Sequence, residues 1–478
     1  MPDSVPKEME EALQKASAIL REELEKGRVA RVITHNDADG ITSGAIVHKA
    51  LLREGHSVHT RCLEQLEEAH LPHLKGDGPE VFLFTDIGSG LLEGIGRHLL
   101  DGTEAIVLDH HQPRPFEPPG LHHINPHNYG IEGAREVSGS GMAYLFARAL
   151  NPRNKDLAAL GIVGAVGDLQ DANGGLIGLN REIVRDGLEA GVLVVEKDLR
   201  LFGRQTRPLH KAIEYTTEPF IPGLSGSESS AVQFLNDLDI PVKRGEEYTM
   251  LADLSKDERQ RLVTALILKM IEHKIPPKVA EMIVGEVYTL VREAERTPLR
   301  DAKEYATLLN GCGKHGQMGI GLAVCLGERG SIYHKALEML REHKAYLSNC
   351  YAWISANIER VKDTGVLYHF HAKDEIDERV IGTVASMVLN SRLLSPLRPI
   401  LAFSETKDGF IKVSGRGTRE LVERGLNLGK VMQAVTQTIG GEGGGHDIAA
   451  GAKIQKGKEE EFLRLAEERL REQLHVQG

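Results

Sequence analysis

Cysteine is scarce. The chain has four in 478 residues, Cys62, Cys312, Cys325 and Cys350, scattered without a C-x-x-C pair. That pattern excludes a disulfide framework and fits a reducing, cytoplasmic interior. Long apolar runs are missing too: none approaches the ~18 residues that span a bilayer, and the N-terminus is acidic and amphipathic rather than basic then apolar. No membrane partner is expected. Aromatic residues make up 5% of the chain, with a single Trp, so generous base-stacking platforms are not advertised. Positive charge is also in deficit, because 58 Lys and Arg face 69 Asp and Glu for a net charge of −11. A polyanionic partner must therefore be held by local basic patches or bound metal, not by the overall field.

What remains is an ordinary globular composition, 41% hydrophobic and 27% charged, long enough for two or three domains with their own cores. Glycine is the exception. Its 51 residues exceed the usual ~7% and cluster at particular turns.

A helix is expected at the start, capped by Ser4, with Pro6 and Glu8 in its first turn and Gly27 closing it. From Val29 short β-branched runs alternate with helical patterns: Val29 to Thr34, Ile41 to Glu54, Val58 to Cys62, Val81 to Thr85 and Ile106 to Asp109. This reads as a parallel α/β sheet. After Asp168 the pattern turns helical through Phe202, and Pro208 to Gly226 reads as a boundary. Glu228 to Arg300 looks like a helical insertion, and Ala302 to Leu347 like helices around a glycine-rich turn. A second α/β unit begins near Gly365. The expected division is a catalytic domain at 1–204, a helical insertion at 205–300, a helical return and linker at 301–364, and a smaller α/β substrate-binding domain at 365–478.

The chemistry gathers at strand ends, where ligands of parallel sheets collect. Just past the first strand stands His35-Asn36-Asp37-Ala38-Asp39-Gly40. In an extended segment residues two apart share a side, so Asp37 and Asp39 can converge with His35. Carboxylates that close repel unless a cation lies between them. Val81 to Thr85 delivers Asp86, and Ile106 to Leu108 delivers Asp109-His110-His111. Asp168 follows a small-residue helix, with Asp171 as a nearby competitor. Each acid alone is explicable as a turn or cap residue. Three acidic strand ends in one sheet are harder to dismiss. Carboxylates with imidazoles and no thiolate suit hard divalent cations, with manganese favoured over calcium. A pair of cations ~3.5–4 Å apart under one bridging carboxylate suits hydrolysis of a phosphate ester.

The series H-N-D-A-D-G, T-D-I-G-S-G, L-D-H-H and G-A-V-G-D resembles the four N-terminal motifs of the DHH phosphoesterase family. The C-terminal S-G-R (Ser414 to Arg416) and G-G-G-H-D-I-A-A-G (Gly443 to Gly451) resemble the nucleotide-binding motifs of its DHHA1 domain. The insertion makes the chain most similar to archaeal RecJ-like, GINS-associated nucleases. The resemblance implies a parallel-sheet DHH domain, a helical insertion and a smaller α/β DHHA1 domain joined by a helical linker. It places Asp37, Asp39, Asp86, His110 and Asp168 on metal-ligand positions, with Asp86 as the bridge, His111 at the scissile phosphate and Asp109 orienting the neighbouring imidazoles. Several small-phosphoester members put their first histidine four residues before the first Asp, where this chain has Ile33. His35 is the candidate substitute. Two divalent cations are implied, Mn2+ first and Mg2+ second.

The glycine cluster reads as a nest of backbone N–H groups for phosphate, formed by Gly441, Gly443, Gly444 and Gly445, with His446 as a donor. Arg416 supplies a forked grip for a phosphate beside Ser414. His127, Asn125 and Ser138 are explained equally well by turns and caps. Arg204, Arg207 and Lys211 read as a solvated basic face, and Trp353 with Tyr351 as core. The resemblance implies a metal-dependent exonuclease on single-stranded DNA or RNA in replication or repair, with the GINS complex as a candidate partner. The alternatives are a phosphodiesterase of short oligonucleotides or nucleotides, and a replisome scaffold with residual nuclease activity.

Overall fold

The computed structural model describes residues 4–76, 78–116, 118–216, 219–390 and 394–475. The chain divides into two compact units at Leu340. The first opens with α1 (Lys7–Glu25), whose N-cap is Pro6 without any side-chain cap bond. Ser4 therefore does not cap it. Strands and helices then alternate: β1 (Val29–His35), α2 (Ala38–Arg53), β2 (Val58–Leu63), β3 (Glu80–Thr85), α3 (Leu92–Leu99), β4 (Ala105–Leu108) and β5 (Leu121–Ile124). The five strands form an all-parallel sheet in the order β2-β1-β3-β4-β5. Strand order reverses between β1 and β3, and crevices open at such points beyond the carboxyl ends.

Both faces of the sheet are covered, as parallel sheets require. Alternation within each strand divides the side chains: Val32, Leu83 and Ile106 face the main core with α1, α2 and the next two helices, α4 (Gly139–Leu150) and α5 (Ala158–Gly167). Ile33, Phe82, Phe84 and Val107 face a smaller core with Ile95 and Leu99 of α3. α5, apolar almost all round, is buried at eight of its ten positions, the mark of an internal helix.

After α6 (Leu179–Glu189) the expected helix gives way to β6 (Leu193–Leu199), which pairs antiparallel with β9 (Val284–Leu290). These two short β-branched runs, about ninety residues apart, blend into the helical pattern of their surroundings because neither shows its partner locally. Between them lie α7 (Leu209–Glu214), α8 (Glu228–Asp237), a hairpin of β7 (Lys243–Arg244) and β8 (Glu247–Tyr248), α9 (Lys256–Glu272) and α10 (Pro277–Glu281). They enclose a separate core that includes Ile213, Leu235, Leu262 and Leu266. Then come α11 (Ala302–Lys314), α12 (Met318–Leu326) and α13 (Ser331–Ala356). Gly311 and Gly313 lie inside α11 rather than in the turn, where Gly316 alone takes positive φ.

The second unit contains β10 (Lys362–Asp363), β11 (Tyr368–His371), α14 (Ile381–Asn390), β12 (Ile400–Glu405), β13 (Phe410–Arg416), α15 (Arg419–Glu423), α16 (Leu428–Ile439), β14 (Glu442–Gly445), β15 (Ala449–Gln455) and α17 (Glu459–Leu474). Its six strands run in the order β10-β11-β12-β13-β15-β14, with only β11 and β12 parallel. α14 covers one face, while α16 and α17 cover the other. Among the described residues all four cysteines are free, and no helix is long and apolar enough to cross a membrane.

Candidate metal centre

The site is built where β1, β3 and β4 end. Asp37 is the N-cap of α2, its side chain accepting from the Gly40 N–H at 2.9 Å. Because the helix starts at Ala38, the segment is not extended through Asp39, and the two carboxylates do not share one group of ligand atoms. Instead they serve two neighbouring groups of ligand atoms. One joins His35, Asp37 and Asp86, the other Asp39, His110 and Asp168, each with its atoms within 4.8 Å of one another. His35 Nδ1 lies 3.0 Å from Asp37 Oδ2 and 3.7 Å from Asp86 Oδ2. His110 Nε2 lies 3.1 Å from Asp86 Oδ1 and 3.6 Å from Asp39 Oδ2. Asp86 thus turns one oxygen to each group.

Close backbone approaches fix these side chains. Asp86 is 2% exposed and sits in the left-handed region at φ 58°, an outlier that marks stored strain. A Cβ on Gly139 would stand 2.5 Å from Asp86, and one on Gly164 would stand 2.5 Å from Asp39 Oδ1. Asp39 accepts from the Gly139 and Ser140 N–H groups at the start of α4, at 2.7 and 3.0 Å. His110 Nδ1 donates to the Gly133 carbonyl at 2.8 Å, leaving Nε2 as the free nitrogen. Asp168, at the end of α5, accepts from Gln170 Nε2, which also donates to Gly133. Asp171, the competitor, is paired with Arg200.

Burial and crowding set the charges. Burial, reinforced by Asp86 and Asp168, pushes the Asp39 carboxyl up to about 8. Burial opposes charge on His110, yet Asp86, Asp168 and Asp39 raise it well above the ordinary imidazole range. For Asp37 burial works the other way, but His35 holds the carboxyl far below its usual range. Asp109 is buried as well and is held low by His111, His110 and the Ser89 N–H. Its Oδ1 accepts from His111 Nδ1 at 2.8 Å and from two backbone N–H groups. His111 keeps its ring partly open to solvent.

Two buried atoms at the centre of this cluster, Asp86 Oδ1 and His35 Nδ1, make close ionic approaches but no well-aligned hydrogen bond among the described residues. Orphans of this kind are rare in folded proteins. Together with the oxygen-rich, thiolate-free donor set, they fit hard divalent cations.

The second layer was not legible in the sequence. Gln170, Gly133 and Asn180 form a chain of hydrogen bonds behind Asp168. Asn310 of α11 accepts from the Ala38 N–H at 2.8 Å, and a Cβ on Gly313 would collide with the Asn36 carbonyl. Asn125 holds Ser89 and the His111 carbonyl, while Ser138 caps α4. A glycine packed on a strand end was the one available signal for α11.

In the second unit Gly443, Gly444 and Gly445 form the edge strand β14 rather than a loop nest. A Cβ on Gly443 would meet the Met432 carbonyl at 2.7 Å, whereas one on Gly444 would meet nothing within 4 Å. Packing against α16 therefore explains Gly443, whereas Gly444 is exposed with open space on its Cβ side. His446 follows the strand, its N–H donating to Ala449. Arg416 ends β13 beside the buried Ser414. Its guanidinium bonds only to the Gly415 and Ala450 carbonyls among the described residues, and burial pushes it down to about 10. Trp353 and Tyr351 pack against the core. Of the basic patch, Arg204 is paired with Asp198 and Lys211 with Glu214 and Glu228. Arg207 lies between the rings of Phe202 and Tyr215.

An α/β sheet with an acid and imidazole centre at its switch point, followed by a second α/β unit, defines a class of protein. The chain matches the DHH family, N-terminal domain, over residues 30–165, the DHH-CID domain over 201–284 and the DHHA1 domain over 363–472. It is 33% identical over 450 residues to "Uncharacterized protein MJ0831" of Methanocaldococcus jannaschii, covering 93% of this chain and 94% of that one. It is 29% identical over 314 residues to the single-stranded-DNA-specific exonuclease RecJ of Thermus thermophilus, covering 60% of this chain and 45% of that relative's length. Among solved structures, an exonuclease RecJ bound to manganese superposes with a TM-score of 0.56 at 19% identity, over 96% of this chain and 94% of that one. CDC45 from Entamoeba histolytica does so with 0.65 at 11% identity, over 96% and 99%.

The chain belongs to the DHH/DHHA1 family, among its RecJ-like members. Members of the DHH family are phosphoesterases, which makes this chain a hydrolase of that kind.

Proposed function

We propose that this protein is a divalent-cation-dependent exonuclease that hydrolyses phosphodiester bonds of single-stranded DNA or RNA. The observation that carries this reading is Asp86, whose Oδ2 faces His35 and whose buried Oδ1, without a well-aligned hydrogen bond among the described residues, faces His110. One cation would be held by His35, Asp37 and Asp86, and a second by Asp39, His110, Asp168 and the other oxygen of Asp86. Mn2+ is the first choice and Mg2+ the second for this donor set. When bound, the pair lowers the pKa of an attacking water and neutralises charge developing on the phosphoryl oxygens.

The chain's own groups do the rest. The two N–H groups of α4 hold the Asp39 carboxylate in place, and Gly133 fixes the His110 tautomer. Asp109 directs His111 so that its Nε2 can donate to a phosphoryl oxygen or pass a proton to the leaving group. Burial opposes protonation of His111, but Asp109 raises it above its ordinary value, which favours the donor form. In the second unit Arg416, with Ser414, the exposed Gly444 between Gly443 and Gly445, and His446, would bind a phosphate of the same strand. An arginine without a carboxylate partner among the described residues supports that role. The insertion exposes Leu268, Ile271, Val279 and Met282 on α9 and on or beside α10. We assign it to a replication partner, with GINS as the candidate.

The test is digestion of end-labelled DNA and RNA strands, with a dinucleotide as comparison, under Mn2+, Mg2+ and chelator. Stepwise metal-dependent shortening of long strands is expected. Turnover of the dinucleotide alone would point to a nucleotide phosphodiesterase, and no turnover to a scaffold.

A further inference from the structure

Several helices of this chain end with a residue in the left-handed region directly after the C-cap. α1, α2, α6, α11 and α15 place glycine there: Gly27, Gly55, Gly191, Gly316 and Gly425. α8 and α9 place the polar Asp239 and Lys274. α5 places a leucine. Leu169 has φ 59° and follows the C-cap Asp168. Left-handed backbone disfavours any residue with a Cβ, and glycine is its usual occupant at a helix end.

Burial does not account for the choice. Leu169 is 67% exposed, more than any other exposed large hydrophobic residue among those described. A lone exposed leucine has no meaning by itself. This one is held out at a strained position between two members of the acid cluster's framework. Asp168 before it faces His110, and Gln170 after it bonds both Asp168 and the Gly133 carbonyl that fixes His110. The backbone at 169 is pinned on both sides, with its N–H donating to Val166 and its carbonyl accepting from Ala172. An exposed apolar side chain is thereby fixed one residue from Asp168 of the cluster.

We infer that Leu169 contacts the base of the nucleotide whose phosphodiester is being cut. The inference rests on the nuclease reading above and goes beyond it. Phosphate and sugar are polar and gain nothing from an aliphatic group, whereas the face of a base is the apolar part of a nucleotide. Leucine is among the side chains that wedge against bases and unstack them. In this position it turns the terminal base off its neighbour and holds the scissile bond toward the acids, without selecting one base over another.

The test compares two end-labelled single strands, identical except that one lacks the base on the nucleotide to be released. The proteins are wild type, L169G and L169M. Wild type should prefer the base-bearing strand about five- to tenfold in kcat/KM, a factor typical of one apolar contact. L169G should lose that preference through a higher KM for the base-bearing strand, with turnover of the abasic strand unchanged. L169M should keep it. Because glycine suits the left-handed position, L169G should leave Tm unchanged or raise it by about 1–2 °C. Equal preference in wild type and L169G, or no preference in wild type, would overturn the inference. So would a Tm loss of several degrees in L169G with the preference intact, since the leucine would then serve the fold. If wild type degrades neither strand, the nuclease reading itself fails.

Discussion

The two sheets of this protein are unbalanced in opposite senses. At the carboxyl ends of the parallel sheet, Asp37, Asp39, Asp86 and Asp168 crowd together, with imidazoles among them. At the end of β13 in the mixed sheet, Arg416 is half-buried and, among the described residues, bonds only to backbone carbonyls. Like charges brought together in a dry site are costly unless something binds between them. An isolated buried cation asks for the reverse. On the function proposed above, each unit would be completed in its own way, one by cations and the other by an anion. A nucleic-acid strand with its counter-cations is one substrate that supplies both.

The largest expected effect breaks the first half of that comparison. Asp86→Ala removes the carboxylate that faces both ligand groups, and metal-dependent cleavage should fall by more than about a thousandfold. Near-native rates would mean the acids are not the centre. The next variant acts on the second half. Arg416→Gln should raise KM for long strands about ten- to a hundredfold while leaving cation binding unchanged. A parallel loss of metal affinity would show that the two imbalances are not separable.

Gln170→Ala sharpens the first half more gently. It removes the hydrogen bonds behind Asp168 and to Gly133, and Mn2+ affinity measured by calorimetry should drop about tenfold. The smallest effects separate packing from binding on β14. Gly443→Ala forces a Cβ toward the Met432 carbonyl and should lower Tm by about 5 °C. Gly444→Ala meets nothing and should leave Tm within about 1 °C of wild type, while it weakens strand binding if its backbone faces the phosphate.

The same contrast governs what the sequence could reveal. Acids at the ends of β3 and β4 were legible because a parallel sheet sends strand ends to one edge, whatever the loops do. The split between Asp37 and Asp39 was not, since it depends on α2 starting at Ala38, three residues before the helical pattern legible from Ile41. Asn310 and Gln170 were invisible because their roles are set by packing. Asn310 reaches Ala38 across 272 positions of sequence. β5 is only four residues long, with two histidines in the middle, and β6 and β9 are strands by virtue of each other. The glycine run misled in the opposite direction, because glycine weakens a strand on propensity, yet in β14 the close approach of α16 requires it at Gly443.

On the function proposed above, everything turns on Asp86 being shared between two cations. Calorimetric titration of the metal-free protein with Mn2+ measures this most directly. We expect two cations per wild-type chain, and in Asp86→Asn the weakening of both. A stoichiometry of one, or a variant in which one site binds as in wild type, would contradict it.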